Sequence, residues 1–228
     1  MRFASLCFPG GMRMGIIVVG LGPGDGRLLT QEAVAVLETA SLLLLRTARH
    51  PAVDDIQCAG QIESFDQLYE SADAFATVYE TIVAELLQRG QGAEIVYAVP
   101  GHPLVGEATV PALLRAAREA GVPVRLVHGL SFVEPTLAAL EVDILDGLQV
   151  LDALDLVASL FPKVNVDRPV LLGQVYNQLV ASELKLTLMA LYPDDQPAVL
   201  VHGAGLPDER VERLALYEID RSPSLGHL

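Results

Sequence analysis

Two loops rich in glycine and proline carry the residue types best able to grip a small ligand through backbone groups: Gly20-Leu21-Gly22-Pro23-Gly24-Asp25 and Pro100-Gly101-His102-Pro103. Glycine lets amides and carbonyls approach a ligand closely, and proline fixes a loop in advance, lowering the ordering cost of binding. Arg46-Thr47-Ala48-Arg49-His50 is the one dense basic stretch. Its arginines have the paired N–H donors that hold a carboxylate or phosphate, against the alternative of a solvated loop offsetting nearby acids. No Ser-His-Asp, Cys-His or paired-carboxylate set stands out. His128 and His202, each ending an apolar run, read as loop histidines, since no spacing suggests zinc.

A phosphate cradle is excluded by spacing. G-x-G-x-x-G from Gly20 requires glycine where Asp25 stands, and from Gly22 it requires glycine where Arg27 stands. Asp25 would also place a carboxylate where a pyrophosphate should meet backbone N–H groups. The next apolar run, 42–45, ends in Arg46 and not in the acid that would hold a ribose, and no Gly-Lys-Ser or Gly-Lys-Thr follows the first loop. The loop then holds something other than a diphosphate, or is an ordinary tight turn.

Each loop needs an element to present it. The first follows Ile16-Ile17-Val18-Val19 and the second follows Ile95-Val96-Tyr97-Ala98-Val99, short β-branched runs that read as buried parallel strands. Both loops are therefore expected at the carboxyl edge of one sheet, where open α/β sheets bind ligands. Thr30 caps an expected helix to about residue 39, and 42–45 forms a second strand. Phe75, Val78, Tyr79, Ile82, Val83, Leu86 and Leu87 recur at helical steps, with Gly90 as the stop. A helix through Leu113 and Ala117 ends at Gly121, a strand spans 122–127, and Ser131-Phe132-Val133-Glu134 forms a capping box with Pro135 just inside the next helix. Beyond residue 140 a second set begins: strands at 170–172, 198–201 and 211–219, and a helix over 179–191. The expected organisation is a disordered extension (1–13), an N-terminal α/β lobe (14–140) and a C-terminal α/β lobe (141–228).

At 228 residues the chain can bury one large core or two modest ones. Hydrophobic content of 51% with 5% aromatics points to an aliphatic core that suits helices on a parallel sheet. No apolar run approaches membrane-span length, so a soluble protein is expected. Cys7 and Cys58 support neither a disulfide framework nor a thiolate metal site, which fits a reducing cytoplasm. A formal charge of −14 disfavours nucleic acid and anionic lipid as partners.

Four loops in order, residues 18–25 (VVGLGPGD), 100–107 (PGHPLVGE), 129–133 (GLSFV) and 201–205 (VHGAG), resemble those of the tetrapyrrole (corrin/porphyrin) methylases, S-adenosylmethionine-dependent methyltransferases. Arg46 to Pro51, and Gln174 through Lys185 to Tyr192-Pro193, look more like the branch fused ahead of a MazG-type nucleoside triphosphate pyrophosphohydrolase. In that light Ser222-Pro223-Ser224-Leu225-Gly226-His227-Leu228 resembles an interdomain linker. Glu209-x-x-Glu212 has the spacing of half a hydrolase metal motif, but no second acidic pair follows, and it reads as a solvated turn.

The resemblance implies two α/β lobes, a homodimer, and S-adenosylmethionine held in a cleft between lobes. Its contacts would be Pro23, Gly101, His102, Val105, Ser131 and Phe132, completed by Gln174, Gly203 and Ala204. The family's second loop is commonly Gly-Asp-Pro, where this chain has His102. Uroporphyrinogen methylases carry an aspartate at the end of the second strand, where this chain has Arg46. The implied reaction is methyl transfer to a small-molecule acceptor, with the donor's sulfonium as the leaving group. Glu107 and Tyr176, each just beyond a cofactor loop, are the candidates for removing an acceptor proton, against the readings of a helix N-terminal carboxylate and a core tyrosine. Arg46, Arg49 and His50 would bind an anionic substrate. The alternative class is a non-catalytic S-adenosylmethionine- or nucleoside-binding sensor or dimerisation domain of a MazG-type hydrolase.

Overall fold

The computed structural model describes residues 14–71 and 75–225. The expected extension with Cys7, the side chain of Phe75, and Gly226 to Leu228 lie outside the described residues. The chain divides into two compact units, one reaching Ser131 and one starting at Phe132, earlier than the boundary expected after residue 140.

The first unit is built on five parallel strands: β1 (Gly15–Gly20), β2 (Leu42–Leu45), β3 (Gln61–Ser64), β4 (Glu94–Val99) and β5 (Val124–Val127), in the order β3-β2-β4-β1-β5. Alternate residues of the apolar runs serve opposite faces, so two cores form. Ile16, Val18, Leu44, Ile95, Tyr97 and Val99 pack on one face with helices α3 (Phe75–Gly92) and α4 (Thr109–Ala120); α2 (Asp66–Ser71) precedes α3. Val19, Leu43, Leu45, Val96, Ala98 and Val127 pack on the other with Ala33 and Leu37 of α1 (Gln31–Thr39). Thr30 caps α1 by accepting the Ala33 N–H, and Gly121 closes α4 at a φ of 68°.

Several local expectations change. Gly90 does not stop α3, which continues to Gly92. Its role is close packing, because a Cβ there would lie 2.6 Å from Ile16 Cγ1. The strand expected from residue 122 begins at Val124. The helix α5 (Val133–Leu140) has Phe132 at its N-cap position, so Pro135 falls deeper in the first turn.

The second unit holds α5, then β6 (Gln149–Asp152), α6 (Ala153–Ala158), β7 (Val170–Gly173), α7 (Gln178–Met189), β8 (Pro197–His202) and β9 (Arg210–Ala215). β6 and β7 pair in parallel, and β8 and β9 form an antiparallel hairpin. The strand expected over 211–219 ends at Ala215, where Leu216 and Ile219 turn inward on a 3₁₀ helix to join Leu156, Val180, Leu184 and Leu188. No helix among the described residues is long and apolar enough to cross a membrane.

Candidate functional site

The parallel register of β1 and β4 brings their ends side by side, Gly20 opposite Val99, so the two glycine loops leave the sheet together. They are stitched at once. The Leu21 N–H donates to the Val99 carbonyl (2.8 Å), Gly22 N–H to Gly101 O (3.2 Å) and Gly101 N–H to Gly22 O (2.8 Å). The turn after β5 joins them: a Cβ on Gly20 or on Gly129 would stand 2.5 Å from Gly101 O. Only residues without a side chain allow three backbones to meet this closely. Gly101 itself differs. Its φ is 67°, yet a Cβ there would meet nothing within 4 Å, so its open side faces free space at the sheet edge.

Asp25 uses its carboxylate locally, accepting the Arg27 N–H (3.0 Å) and pairing with the Arg27 guanidinium, whose hydrogen bond foremost holds its pKa below the ordinary value. It therefore fills the amide position that a phosphate would have taken. Pro23 stands half-buried between Gly22 and Gly24, and Val105 is held by its N–H to the His102 carbonyl (3.0 Å).

His102 and His128 form a pair. Their rings stack with centroids 5.3 Å apart, and His102 Nε2 lies 3.1 Å from His128 Nδ1. The Leu104 N–H can only donate, and it donates to His102 Nδ1 (3.1 Å). Neutral His102 must then carry its proton on Nε2 and give it to His128 Nδ1, which fixes the tautomers of both rings. His128, read from sequence as a plain loop histidine, was missed because its partner stands on a different loop.

The residues of the basic stretch have separate partners. Arg46, just after β2, turns its guanidinium to Glu107 (Nη1 to Oε1 2.7 Å) and its Nε to the Tyr69 hydroxyl, with the rings of Tyr69 and Tyr79 flanking it at 5.3 and 5.2 Å. Burial opposes its charge, but Glu107, then Tyr97 and Tyr69, keep it protonated well above its usual range. Glu107 Oε1 also accepts the Thr109 N–H (2.8 Å) and hydroxyl (2.6 Å), and Thr109 meets the Tyr97 hydroxyl at 2.9 Å. Burial, followed by the charge of Glu107, pushes the Tyr97 phenol up. Glu107 is thus committed as a counter-ion and helix N-terminal acceptor. Arg49 is exposed, its N–H bound to Thr47 Oγ1 (3.0 Å), and His50 Nδ1 accepts the Ala52 N–H (3.3 Å).

In the second unit the Phe132 ring packs on the backbone of Gly173, where a Cβ would stand 2.9 Å from Phe132 Cζ. Gln174 follows with φ at 67°, a left-handed backbone that a non-glycine residue holds only under constraint. Gly203 (φ 59°) and Ala204 form the turn after β8. Tyr176 packs against the core of this unit, and buried Ser131 ends the first unit. Glu209 and Glu212 have separate uses: Glu209 accepts the Gly205 N–H (2.8 Å), while Glu212, on β9 and not in a turn, accepts the Ser222 hydroxyl. An open groove of about 840 Å³ lies at the amino edge of the first sheet beside Leu42, Ala93 and Ile95, remote from the glycine loops. It is crossed by the paired Glu85 and Arg89, and its chemistry is that of a solvated surface. Among the described residues no three His, Cys, Asp or Glu side chains gather as metal ligands.

A parallel sheet with glycine loops joined at its carboxyl edge is the setting in which the family comparison falls. The chain belongs to the tetrapyrrole (corrin/porphyrin) methylases, whose family model matches residues 15–220. It is 38% identical over 214 residues to YabN of Bacillus subtilis (strain 168), a protein described only as uncharacterized, covering 93% of this chain and 43% of that relative. The chain therefore spans less than half the length of the curated relative it matches. Among solved structures, a uroporphyrin-III-C-methyltransferase from Thermus thermophilus aligns with a TM-score of 0.69 and 24% identity, covering 93% of this chain and 89% of its own. A cobalt precorrin-4 methyltransferase aligns with a TM-score of 0.65 and 19% identity, covering 90% and 87%. At these identities the likeness concerns the fold.

Proposed function

We propose that the protein is an S-adenosylmethionine-dependent methyltransferase whose donor site is built on the loops after β1, β4 and β5. The observation that carries this reading is Gly101: its neighbours Gly20 and Gly129 are closed against its carbonyl, while its own missing Cβ leaves open space at the sheet edge. A side chain there would project into that space, and its absence leaves the backbone groups of the loop accessible to a donor. Pro23, Gly101, His102, Val105 and Ser131 would line it, and Phe132, Gln174, Gly203 and Ala204 are the further contacts that the family resemblance implies.

The bound donor supplies an activated methyl group on a sulfonium, so the chain's own task is to orient it, align the acceptor and exclude water. Glu107 has no proton-transfer part in this proposal, because Arg46 and Thr109 take up its Oε1. Tyr176, which also packs on the core of its unit, is kept as a candidate for handling an acceptor proton. Arg49, whose charge also acts on Asp66, is kept with His50 as a candidate to meet an anionic group on a small-molecule acceptor. A homodimer in the cytoplasm belongs to the same proposal.

A second reading takes the unit as a donor-binding sensor or dimerisation domain of a MazG-type hydrolase. The 43% share of its Bacillus relative that the chain spans is compatible with such a longer protein but does not identify the remaining part. Calorimetry with S-adenosylmethionine and S-adenosylhomocysteine tests what both readings share. Saturable heat is expected, and its absence at millimolar ligand rejects both. Transfer of a labelled methyl group to a component of cell extract separates the enzyme from the sensor.

A further inference from the structure

The Arg46–Glu107 pair is the most deeply buried ion pair among the described residues, with side-chain exposures of 17% and 4%. Burying two charges carries a desolvation penalty that their attraction must offset, and apolar residues of similar volume often hold a fold equally well. The pair's partners point to a more specific use. Arg46 is anchored to β4 through its N–H on the Ala98 carbonyl (2.8 Å). Its guanidinium reaches Glu107, which ends the loop that leaves β4 with Gly101, His102 and Val105. Glu107 is in turn tied to Thr109 at the start of α4, and Thr109 to Tyr97 on β4. At its other end the loop is fixed by the Gly22–Gly101 hydrogen bonds.

We infer that Arg46 and Glu107 are positioning residues for donor binding: the buried pair clamps the exit of the 100–106 loop, so that Gly101, His102 and Val105 are held ready before the ligand arrives. Preorganisation of this kind raises affinity by removing an ordering cost from the binding step. Tyr69 and Tyr79 complete the clamp by enclosing the guanidinium, and the hydroxyl of Tyr69 satisfies its Nε. The inference rests on the donor-site reading above, but the order of the loop can be measured without any ligand.

The test uses the full chain, the double variant R46M/E107L, and Glu107→Gln. The apolar double variant removes both charges together and leaves no uncompensated ion. It is expected to melt cooperatively near the wild-type temperature, while its amides at Gly101, Leu104 and Val105 exchange with solvent about tenfold faster and S-adenosylhomocysteine binds about tenfold more weakly. Glu107→Gln, which keeps shape and an acceptor for Thr109 but leaves the Arg46 charge without its counter-ion, is expected to melt at a lower temperature and to speed exchange at the same amides. Unchanged loop exchange in a folded double variant overturns the inference. Faster exchange with unchanged affinity in a wild type that binds ligand also overturns it. If the double variant does not fold, unchanged exchange and affinity in Glu107→Gln decide against the clamp. If wild type binds no ligand, the donor reading fails and the inference about binding fails with it, while loop exchange still reports whether the pair holds the loop.

Discussion

Gly22 and Gly101 exchange two backbone hydrogen bonds, each giving its N–H to the other's carbonyl, and so join the loops of two neighbouring parallel strands outside the sheet itself. The two glycines sit at φ values of 74° and 67°, where an L side chain is strained. Their surroundings differ, however, because a Cβ on Gly22 would lie 2.8 Å from the Leu28 carbonyl and one on Gly101 would meet nothing.

The space available at the missing Cβ separates folding from binding in two variants, one at Gly101 and one at the neighbouring Gly20. Gly101→Val bears the left-handed backbone penalty, at least about 1–2 kcal/mol, without a clash at its Cβ, so a folded protein is expected that has lost S-adenosylhomocysteine binding. Gly20→Ala drives its Cβ to 2.5 Å from Gly101 O and 2.7 Å from Gly129 N, backbone atoms that cannot yield cheaply, and its melting temperature should fall further. Retained binding in folded Gly101→Val would show that the donor lies elsewhere.

Gly90 supplies a test inside the core. Alanine in a helix interior is normally favoured over glycine by about 1 kcal/mol. At this position the added methyl would press on Ile16, which is buried, and overpacking of this kind costs about 1–3 kcal/mol. Gly90→Ala is expected to lower the midpoint of urea unfolding at constant m-value. A raised midpoint would mean that the α3 to β1 contact can relax.

The fate of Gly90 also marks where sequence reading stops. Local signals located β1, β2 and β4, the Thr30 cap and the Gly121 stop, since each depends on residues close together in the chain. β3 was invisible because Gln61-Ile62-Glu63-Ser64 lies at the sheet edge, exposed, with no apolar pattern to announce it. Val211 to Ile219 carried one alternating pattern across a strand and a 3₁₀ turn. The glycine loops of the site were legible as backbone devices, whereas the partner of Arg46 was not. Glu107 stands 61 residues away, and only the β2-to-β4 pairing brings the two together.

His50 gives the protein an acid-sensitive element beside the first loop. Burial pulls its pKa below the ordinary 6.5, outweighing the hydrogen bond to the Gly22 carbonyl that favours its charge. Between the lowered folded value and 6.5 the unfolded chain therefore binds more protons than the folded one. Its contribution to stability is intact above pH 6.5 and declines as pH falls through that window. His50→Gln should flatten this part of the melting temperature's pH dependence relative to wild type. Superimposable profiles for the two proteins would remove His50 as the cause.

Gln174 combines a left-handed φ of 67° with a position directly after Gly173, on which the Phe132 ring rests. Strain kept by a residue that glycine could replace points to a use for its side chain, because the backbone alone would be served better without it. Releasing the left-handed penalty of about 1–2 kcal/mol is partly offset by the extra unfolded-state freedom of glycine, about 0.5–1 kcal/mol, so Gln174→Gly is expected to be slightly more stable than wild type. The same variant should bind S-adenosylhomocysteine more weakly if the proposed donor site uses the Gln174 amide, which it removes. Thermal melts and titrations of the one variant read both effects. A gain in stability without any loss of affinity would leave the strain at Gln174 unrelated to the donor site, whereas opposite changes would place its side chain there.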